Sequence, residues 1–173
     1  MPKKSLEIDF LYLDLNTCER CQGTDHNLED AIQEVSAVLS AAGYEVRLNK
    51  INVTTRELAI QHEFFSSPTI RINGKDIALD VKENNCTDCG DLCGDEVDCR
   101  VWEYEGVEYN EPPKALLIDS ILRAVYGGSS QGCCCSEAED AQSCCSEKQH
   151  PPYELPDNLR KFYEGRCCSD SCC

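Results

Sequence analysis

Two cysteines separated by two residues are the first feature of this sequence that could do chemistry. Cys18 and Cys21 follow the apolar run IDFLYLDL and precede a segment with helical periodicity. A thiolate is the reactive form of cysteine, and a helix N-terminus or a nearby cation such as Arg20 favours it. In redox use, Cys18 attacks a disulfide and Cys21 releases the mixed intermediate. In metal use, the pair clamps a soft ion such as Hg(II), As(III), Cu(I) or Zn(II).

A second group of cysteines lies in an acidic stretch, residues 83–113. The segment CTDCGDLCGDEVDC supplies four thiols within fourteen residues. Four thiols at this spacing can close on one tetrahedral ion. We therefore predict a structural zinc site, with soft metals or metalloids as other occupants, and its ligands are Cys86, Cys89, Cys93 and Cys99. Two disulfides, or a second thiol pair that exchanges electrons with Cys18 and Cys21, remain alternatives.

Nine of the fifteen cysteines fall in residues 133–173, all of them in groups of two or three adjacent residues. Neighbouring cysteines form only a strained disulfide, so they are poor structural cross-links. A flexible segment can wrap a thiophilic ion without opposing a fold. We therefore predict mobile metal ligands near the C-terminus, namely Cys167, Cys168, Cys172 and Cys173. Tethering keeps these thiols at high effective concentration near the first pair.

The elements that must position these thiols follow from hydrophobic periodicity. IDFLYLDL predicts a buried strand, residues 27–42 a helix, and YEVRLNKINV a second strand. TTRELAIQH predicts a short helix that begins with a capping box at Thr54. Asn73-Gly74 and Glu105-Gly106 each predict a hairpin turn. A last helix is predicted in KALLIDSILRAVY, after two prolines.

This order of elements resembles the thioredoxin fold over roughly residues 5–126. Pro68, in SSPTIRI, precedes the third strand, as the cis-proline of thioredoxin-like proteins does. The resemblance implies that Ser67 exposes its backbone to an extended substrate. It assigns the catalytic positions to Cys18, Cys21, Ser67 and Pro68. More narrowly, the chain is similar to a bacterial and archaeal family of thioredoxin-like proteins whose activity is not assigned.

The prediction for the whole chain is an α/β protein with a thioredoxin-like mixed sheet flanked by helices. This domain spans residues 1–126 and contains the cysteine-rich insert at 83–113. Residues 127–173 are predicted to form a flexible cysteine-rich tail with a short helix at 155–164. The apolar residues of the first strand are interrupted by acidic ones, unlike the core of a signal peptide, so we expect a cytoplasmic location where thiols stay reduced.

Charge narrows the choice of partners. The net charge of -16, from 32 acidic and 16 basic residues, argues against nucleic acid and anionic membranes as partners.

Three functions remain consistent with the cysteines and the predicted fold. The preferred one is binding or transfer of thiophilic metal or metalloid ions, as in heavy-metal resistance, because the tail has no evident role in disulfide exchange. The others are a thiol-disulfide oxidoreductase and a carbon–metal lyase in which Asp14 supplies the proton.

Overall fold

The computed structural model describes residues 3–78, 80–127 and 152–166 of the chain. These residues form seven strands and five helices, arranged as two sheets. In chain order the elements are β1 (Lys4–Tyr12), α1 (Glu19–Ala41), β2 (Tyr44–Asn52), α2 (Arg56–Gln61), β3 (Thr69–Ile72), β4 (Lys75–Asp76), β5 (Lys82–Asn85), α3 (Thr87–Cys93), β6 (Asp98–Tyr104), β7 (Val107–Tyr109), α4 (Lys114–Tyr126) and α5 (Asp157–Arg166).

The larger sheet is mixed and has the strand order β2-β1-β3-β4. β1 and β2 are parallel because α1 carries the chain back across the sheet between them. β3 runs antiparallel to β1, with Ile70 opposite Phe10. The turn between β3 and β4 has positive φ angles of 50° at Asn73 and 79° at Gly74. The hairpin predicted from this Asn-Gly pair is therefore confirmed.

Alternation along β1 gives the sheet two covered faces. Leu6, Ile8 and Phe10 point to one face, where they form a buried core with apolar residues of α1 and α4. Leu11 and Leu13 belong to a second core that also contains residues of α2, α3 and α5. The second core contains all six cysteines of the described residues. The thiols therefore belong to the interior of the protein.

The insert forms the smaller sheet, in which β6 pairs with β5 on one side and β7 on the other. Glu105 and Gly106 take φ angles of 52° and 79° in the β6–β7 turn, so the second predicted hairpin is also confirmed. Arg100 attaches β6 to the larger sheet. Its guanidinium makes two hydrogen bonds of 2.8 Å to the Asp76 carboxylate, and its backbone N–H donates to the Ser67 carbonyl at 2.7 Å.

Two helices begin at other residues than the sequence predicted. α1 starts at Glu19 rather than near residue 27, because the insert supplies a cap for its first turn, described below. The capping box predicted at Thr54 is wrong. Thr55 is the N-cap of α2, and its hydroxyl accepts the N–H of Leu58 at 3.3 Å.

The segment 152–166 differs most from its prediction as part of a flexible tail. Its helix α5 packs against α3, and Leu159 and Phe162 are fully buried beside the cysteines. The Tyr163 hydroxyl donates to the Val53 carbonyl at 2.9 Å. Burial raises the pKa of Tyr153 to about 12, so its hydroxyl stays protonated. Residues 128–151 and 167–173 lie outside the described residues.

Candidate metal centre

Four buried cysteines meet between α1 and the insert. The Sγ atoms of Cys18, Cys86, Cys89 and Cys99 all lie within 4.8 Å of one another. No member of this group has more than 2 % of its surface exposed. A tetrahedral ion with metal–sulfur bonds of about 2.3 Å holds its ligand sulfurs about 3.8 Å apart. The four thiols, hereafter the tetrathiol cluster, could therefore hold one metal ion away from solvent.

Cys18 reaches the cluster from the start of α1, where it is the N-cap residue. The positive end of this 23-residue helix favours a thiolate at that position. The insert provides the cap that the Cys18 side chain does not, since the carboxylate of Asp88 accepts the N–H of Glu19 at 2.9 Å. The Arg20 guanidinium donates to the Asn85 carbonyl at 2.9 Å. The first turn of α1 is thus fixed to the insert by contacts of the two residues that follow Cys18.

Cys86 and Cys89 occupy the first turn of α3. Cys86 is its N-cap, and its backbone N–H donates to the Val97 carbonyl at 2.8 Å. The two residues are three apart at the start of this helix, so their thiols lie on one side of the turn. A Cβ at Gly90 would lie 2.9 Å from the Asp95 carbonyl oxygen. Glycine at this position lets the chain return closely over α3 toward Cys99.

Cys99 completes the cluster from β6. Successive side chains of a strand point to opposite faces, so Cys99 faces the other thiols while Arg100 faces β4. The Cys99 thiol donates to the Cys89 sulfur at 3.4 Å. Asn158 of α5 accepts the N–H of Asp98 at 2.8 Å and donates to its carbonyl. These backbone contacts hold β6 at the position where Cys99 faces the other three thiols.

Cys21 lies next to the tetrathiol cluster. It is buried one helical turn beyond Cys18. Its sulfur lies 3.4 Å from the Ser67 hydroxyl. Ser67 precedes Pro68 through a cis peptide bond. The structure therefore brings together the four residues that the thioredoxin resemblance singled out.

The two thiols of the Cys18–Cys21 pair differ in proton affinity. The hydrogen bond from Cys21, followed by those from Cys86 and Cys89, holds the pKa of Cys18 far below its usual range. The pKa of Cys21 is raised, because its hydrogen bond to Cys18 and its burial favour the protonated thiol. Hydrogen bonds to Cys18 also raise the pKa values of Cys89 and Cys99. Thiols this close together cannot all ionise unless a cation balances their charge.

The exposed backbone that the resemblance implies at Ser67 is not found in the part of the chain that the structure describes. Cys18, Cys21 and Ser67 each have 0 % of their surface exposed. The Ser67 carbonyl, which the resemblance left free for an extended substrate, accepts the backbone N–H of Arg100. The Ser67 backbone is covered because Arg100, on β6 of the insert, already donates a hydrogen bond to it.

Other predicted site residues lie elsewhere. Cys93 is separated from the tetrathiol cluster, and its thiol points to the carbonyl oxygens of Gly90 at 3.7 Å and Asp95 at 3.6 Å. Cys18 takes the place in the group that the sequence analysis gave to Cys93. The Asp14 carboxylate accepts the N–H groups of Asn16 and Thr17, so it is engaged in a turn. The predicted tail ligands lie outside the described residues: Cys167, Cys168, Cys172 and Cys173.

Sequence reasoning missed two contributors to the site. Arg100 is fully buried, although arginine in an acidic loop is typical of exposed positions. Its isolation as the insert's one arginine was the available signal for a special role. The second contributor is α5, whose apolar residues Leu159 and Phe162 cover the thiols. Their spacing predicted an amphipathic helix, but not the surface against which it packs.

Comparisons with known proteins place the chain in a family. Residues 6–121 match the family model described as "Domain of unknown function (DUF2703)". A protein of Archaeoglobus fulgidus, named "Uncharacterized protein", is 32% identical over 117 residues, which cover 65% of this chain and 82% of the relative. No solved structure matches the chain. Among the described helices, none has the length and apolar character needed to cross a membrane. Because the family model matches residues 6–121, which is more than half of the chain, the protein belongs to the DUF2703 family.

Proposed function

We propose that this protein binds a thiophilic metal ion through the tetrathiol cluster. The observation that carries the proposal is the approach of the four buried sulfurs to within 4.8 Å of one another. Thiolates select soft or borderline ions, and four of them without an open position are typical of a structural zinc site. Zn²⁺ is therefore the first ion to test, and Cu(I), Hg(II) and As(III) are the other candidates from the same chemistry.

The framework that we propose for this site is a thioredoxin-like sheet. The strand order β2-β1-β3-β4, with a cysteine pair at the end of β1 and Pro68 before β3, supports it. In this framework the insert converts an exposed thiol pair into a closed centre. Three ligands come from the insert and Cys18 comes from the β1–α1 junction, so the ion joins the two parts of the domain.

The test is metal content in a full-length background whose nine cysteines after residue 132 are replaced by serine. We expect one Zn²⁺ or Co²⁺ per chain, with the charge-transfer absorption of a tetrahedral cobalt–thiolate centre. Cys86→Ser removes a ligand and should abolish tight binding. Cys93→Ser is the matched control, because Cys93 lies on the same helix outside the cluster, and it should retain the ion.

The proposal fails if Cys86→Ser binds as much metal as its parent, or if Cys93→Ser loses the ion equally. The wild-type chain, titrated beside the serine background, measures what the tail thiols add. A higher stoichiometry for Hg(II) in the wild type would support a role of the tail in metal capture or transfer. Equal stoichiometries would contradict that part of the proposal.

A second candidate is thiol-disulfide exchange, and the position of Cys21 one helical turn from Cys18 favours it. We rank this function below metal binding because both thiols are buried and because the Ser67 carbonyl already accepts a hydrogen bond from Arg100. Reduction of a model protein disulfide by the metal-free chain, lost in Cys18→Ser but retained in Cys86→Ser, would support this function. Activity that requires Cys86 as well would point back to the metal centre.

A further inference from the structure

Cys18 belongs to two groups at once. It is one of the four thiols of the tetrathiol cluster, and it also lies one helical turn from Cys21, a second buried thiol at the start of α1. Cys21 itself is not part of the four-membered group. In a loaded centre, the four sulfurs of the tetrathiol cluster would hold the ion, whereas Cys21 would keep a thiol that binds no metal. The described part of the chain thus places a spare thiol one helical turn from one ligand of the proposed centre.

The geometry of Cys18 and Cys21 suits a disulfide. Residues three apart at a helix start are neighbours on one face, and disulfides join Cα atoms about 4.4–6.8 Å apart. The Ser67 hydroxyl lies 3.4 Å from the Cys21 sulfur, which keeps that side chain in place next to Cys18. Cys93, by comparison, donates to the carbonyl oxygens of Gly90 and Asp95 at the C-terminal end of α3.

We propose that peroxide oxidation joins Cys18 to Cys21 and thereby releases the metal ion from the tetrathiol cluster. The inference rests on the proposed function, because it describes how that centre is regulated. Hydrogen peroxide is the oxidant class that fits the site, since both thiols are fully buried and only a small molecule can reach them without a large opening.

The reaction balances in two steps. The Cys18 thiolate attacks hydrogen peroxide, which gives a sulfenic acid on Cys18 and hydroxide. The Cys21 thiol then attacks that sulfur, forming the Cys18–Cys21 disulfide and releasing water. Two electrons pass from the two cysteines to peroxide, and the metal keeps its oxidation state. The ion loses its Cys18 ligand and dissociates from the three thiolates that remain.

The consequence for the fold is specific. Cys18 is the one ligand of the proposed centre that lies outside the insert, since the other three lie in residues 86–99. Disulfide formation at Cys18 therefore removes the link through the ion between α1 and the insert. The contacts of Arg100 with Ser67 and Asp76 do not involve sulfur and remain. Oxidation thus loosens one side of the insert and leaves the other attached.

The experiment uses the full-length tail-serine background described above, loaded with Zn²⁺ and treated with hydrogen peroxide. A chromophoric chelator follows zinc release, and peptide mass mapping after alkylation identifies the disulfide. We expect release of one Zn²⁺ in step with a Cys18–Cys21 disulfide. In Cys21→Ser, release should be about tenfold slower or more, because the sulfenic acid lacks its resolving thiol. Cys93→Ser is the control and should behave like its parent.

Several outcomes would overturn the inference. One is equally rapid release from Cys21→Ser, and another is a Cys89–Cys99 disulfide as the first product. Loss of zinc binding in both Cys21→Ser and Cys21→Ala before any peroxide is added would show that Cys21 is needed to form the centre, which contradicts its role as a spare thiol. Failure of the proposed function is distinct: the parent itself would then bind no Zn²⁺.

Discussion

Arg100 is the residue that ties the insert to the sheet by charge. Its side chain is 1 % exposed and forms a two-pronged contact with Asp76, which is 30 % exposed. The guanidinium also lies 4.7 Å from the centre of the Trp102 ring. The planar guanidinium holds both carboxylate oxygens in a fork that the single ammonium of lysine cannot reproduce, and it also donates to the Thr69 hydroxyl and the Ala78 carbonyl.

Replacing Arg100 by alanine should destabilise the protein. The change leaves the Asp76 carboxylate without its partner and opens a cavity beside Trp102. We expect a loss of about 3 kcal/mol in the free energy of unfolding, measured by urea denaturation. Arg123→Ala is the control, because Arg123 pairs with Asp119 on the exposed face of α4, and it should leave the midpoint nearly unchanged. Equal effects of the two changes would refute the assigned role of Arg100.

The individual cysteines of the site were easier to predict from the sequence than the packing of the elements around them. The positions of Cys18 and Cys21 followed from the junction between a strand and a helix, and Cys86, Cys89 and Cys99 followed from their spacing. Cys93 was predicted as a ligand from the same spacing, but it lies outside the tetrathiol cluster because α3 continues as a helix through it. Four helical residues between Cys89 and Cys93 correspond to a rise of about 6 Å, which carries the Cys93 sulfur beyond the cluster.

Among the elements, α5 gives the clearest example of packing that local sequence cannot reveal. A Cβ on Gly165 would lie 2.3 Å from the Cys93 carbonyl oxygen, so the two helices approach through a glycine. The sequence YELPDNLRKFYEG predicted the helix from its periodicity. It held no information on the partner, because the apolar stripe of α5 would fit any exposed apolar surface.

The change Gly165→Ala tests whether α5 packs against α3, because the packed and unpacked cases predict opposite effects on the free energy of unfolding. In an isolated helix, this change stabilises by about 1 kcal/mol, since alanine is the better helix former. Against α3, the added methyl group meets backbone atoms, and we expect a loss of about 1–3 kcal/mol in the free energy of unfolding. Lys161→Ala, on the exposed side of the same helix, should be nearly neutral. Stabilisation by Gly165→Ala would show that α5 does not pack as described.

At the level of the whole molecule, the proposed ion is a cross-link between two sheets. The larger sheet could be predicted from the order of its elements and its turn residues. The attachment of the insert could not, because it depends on contacts such as Asp88 with Glu19 and Arg100 with Ser67. These pairs join residues far apart in sequence, and no local pattern records which distant surface each will meet.

Metal removal should therefore act on one part of the protein more than another. After chelation under reducing conditions, we expect faster amide hydrogen exchange in residues 82–104, measured by mass spectrometry. Exchange in β1 and β2 should change little, because one face of these strands packs against α1 and α4 in a core that contains no cysteine. Cys93→Ser should show the same dependence on metal as the wild type. A uniform change across both sheets, or no change at all, would contradict the cross-link.

The separation of Cys18 from its three partner ligands also has a consequence for synthesis. Cys18 leaves the ribosome well before Cys86, Cys89 and Cys99, so a nascent chain displays the Cys18–Cys21 pair before the insert exists to cover it. During this interval the pair is open to cellular oxidants and to any available thiophilic ion. Assembly of the proposed centre then depends on translation of the insert outpacing those reactions, so the speed of synthesis would determine how many chains can acquire the proposed ion.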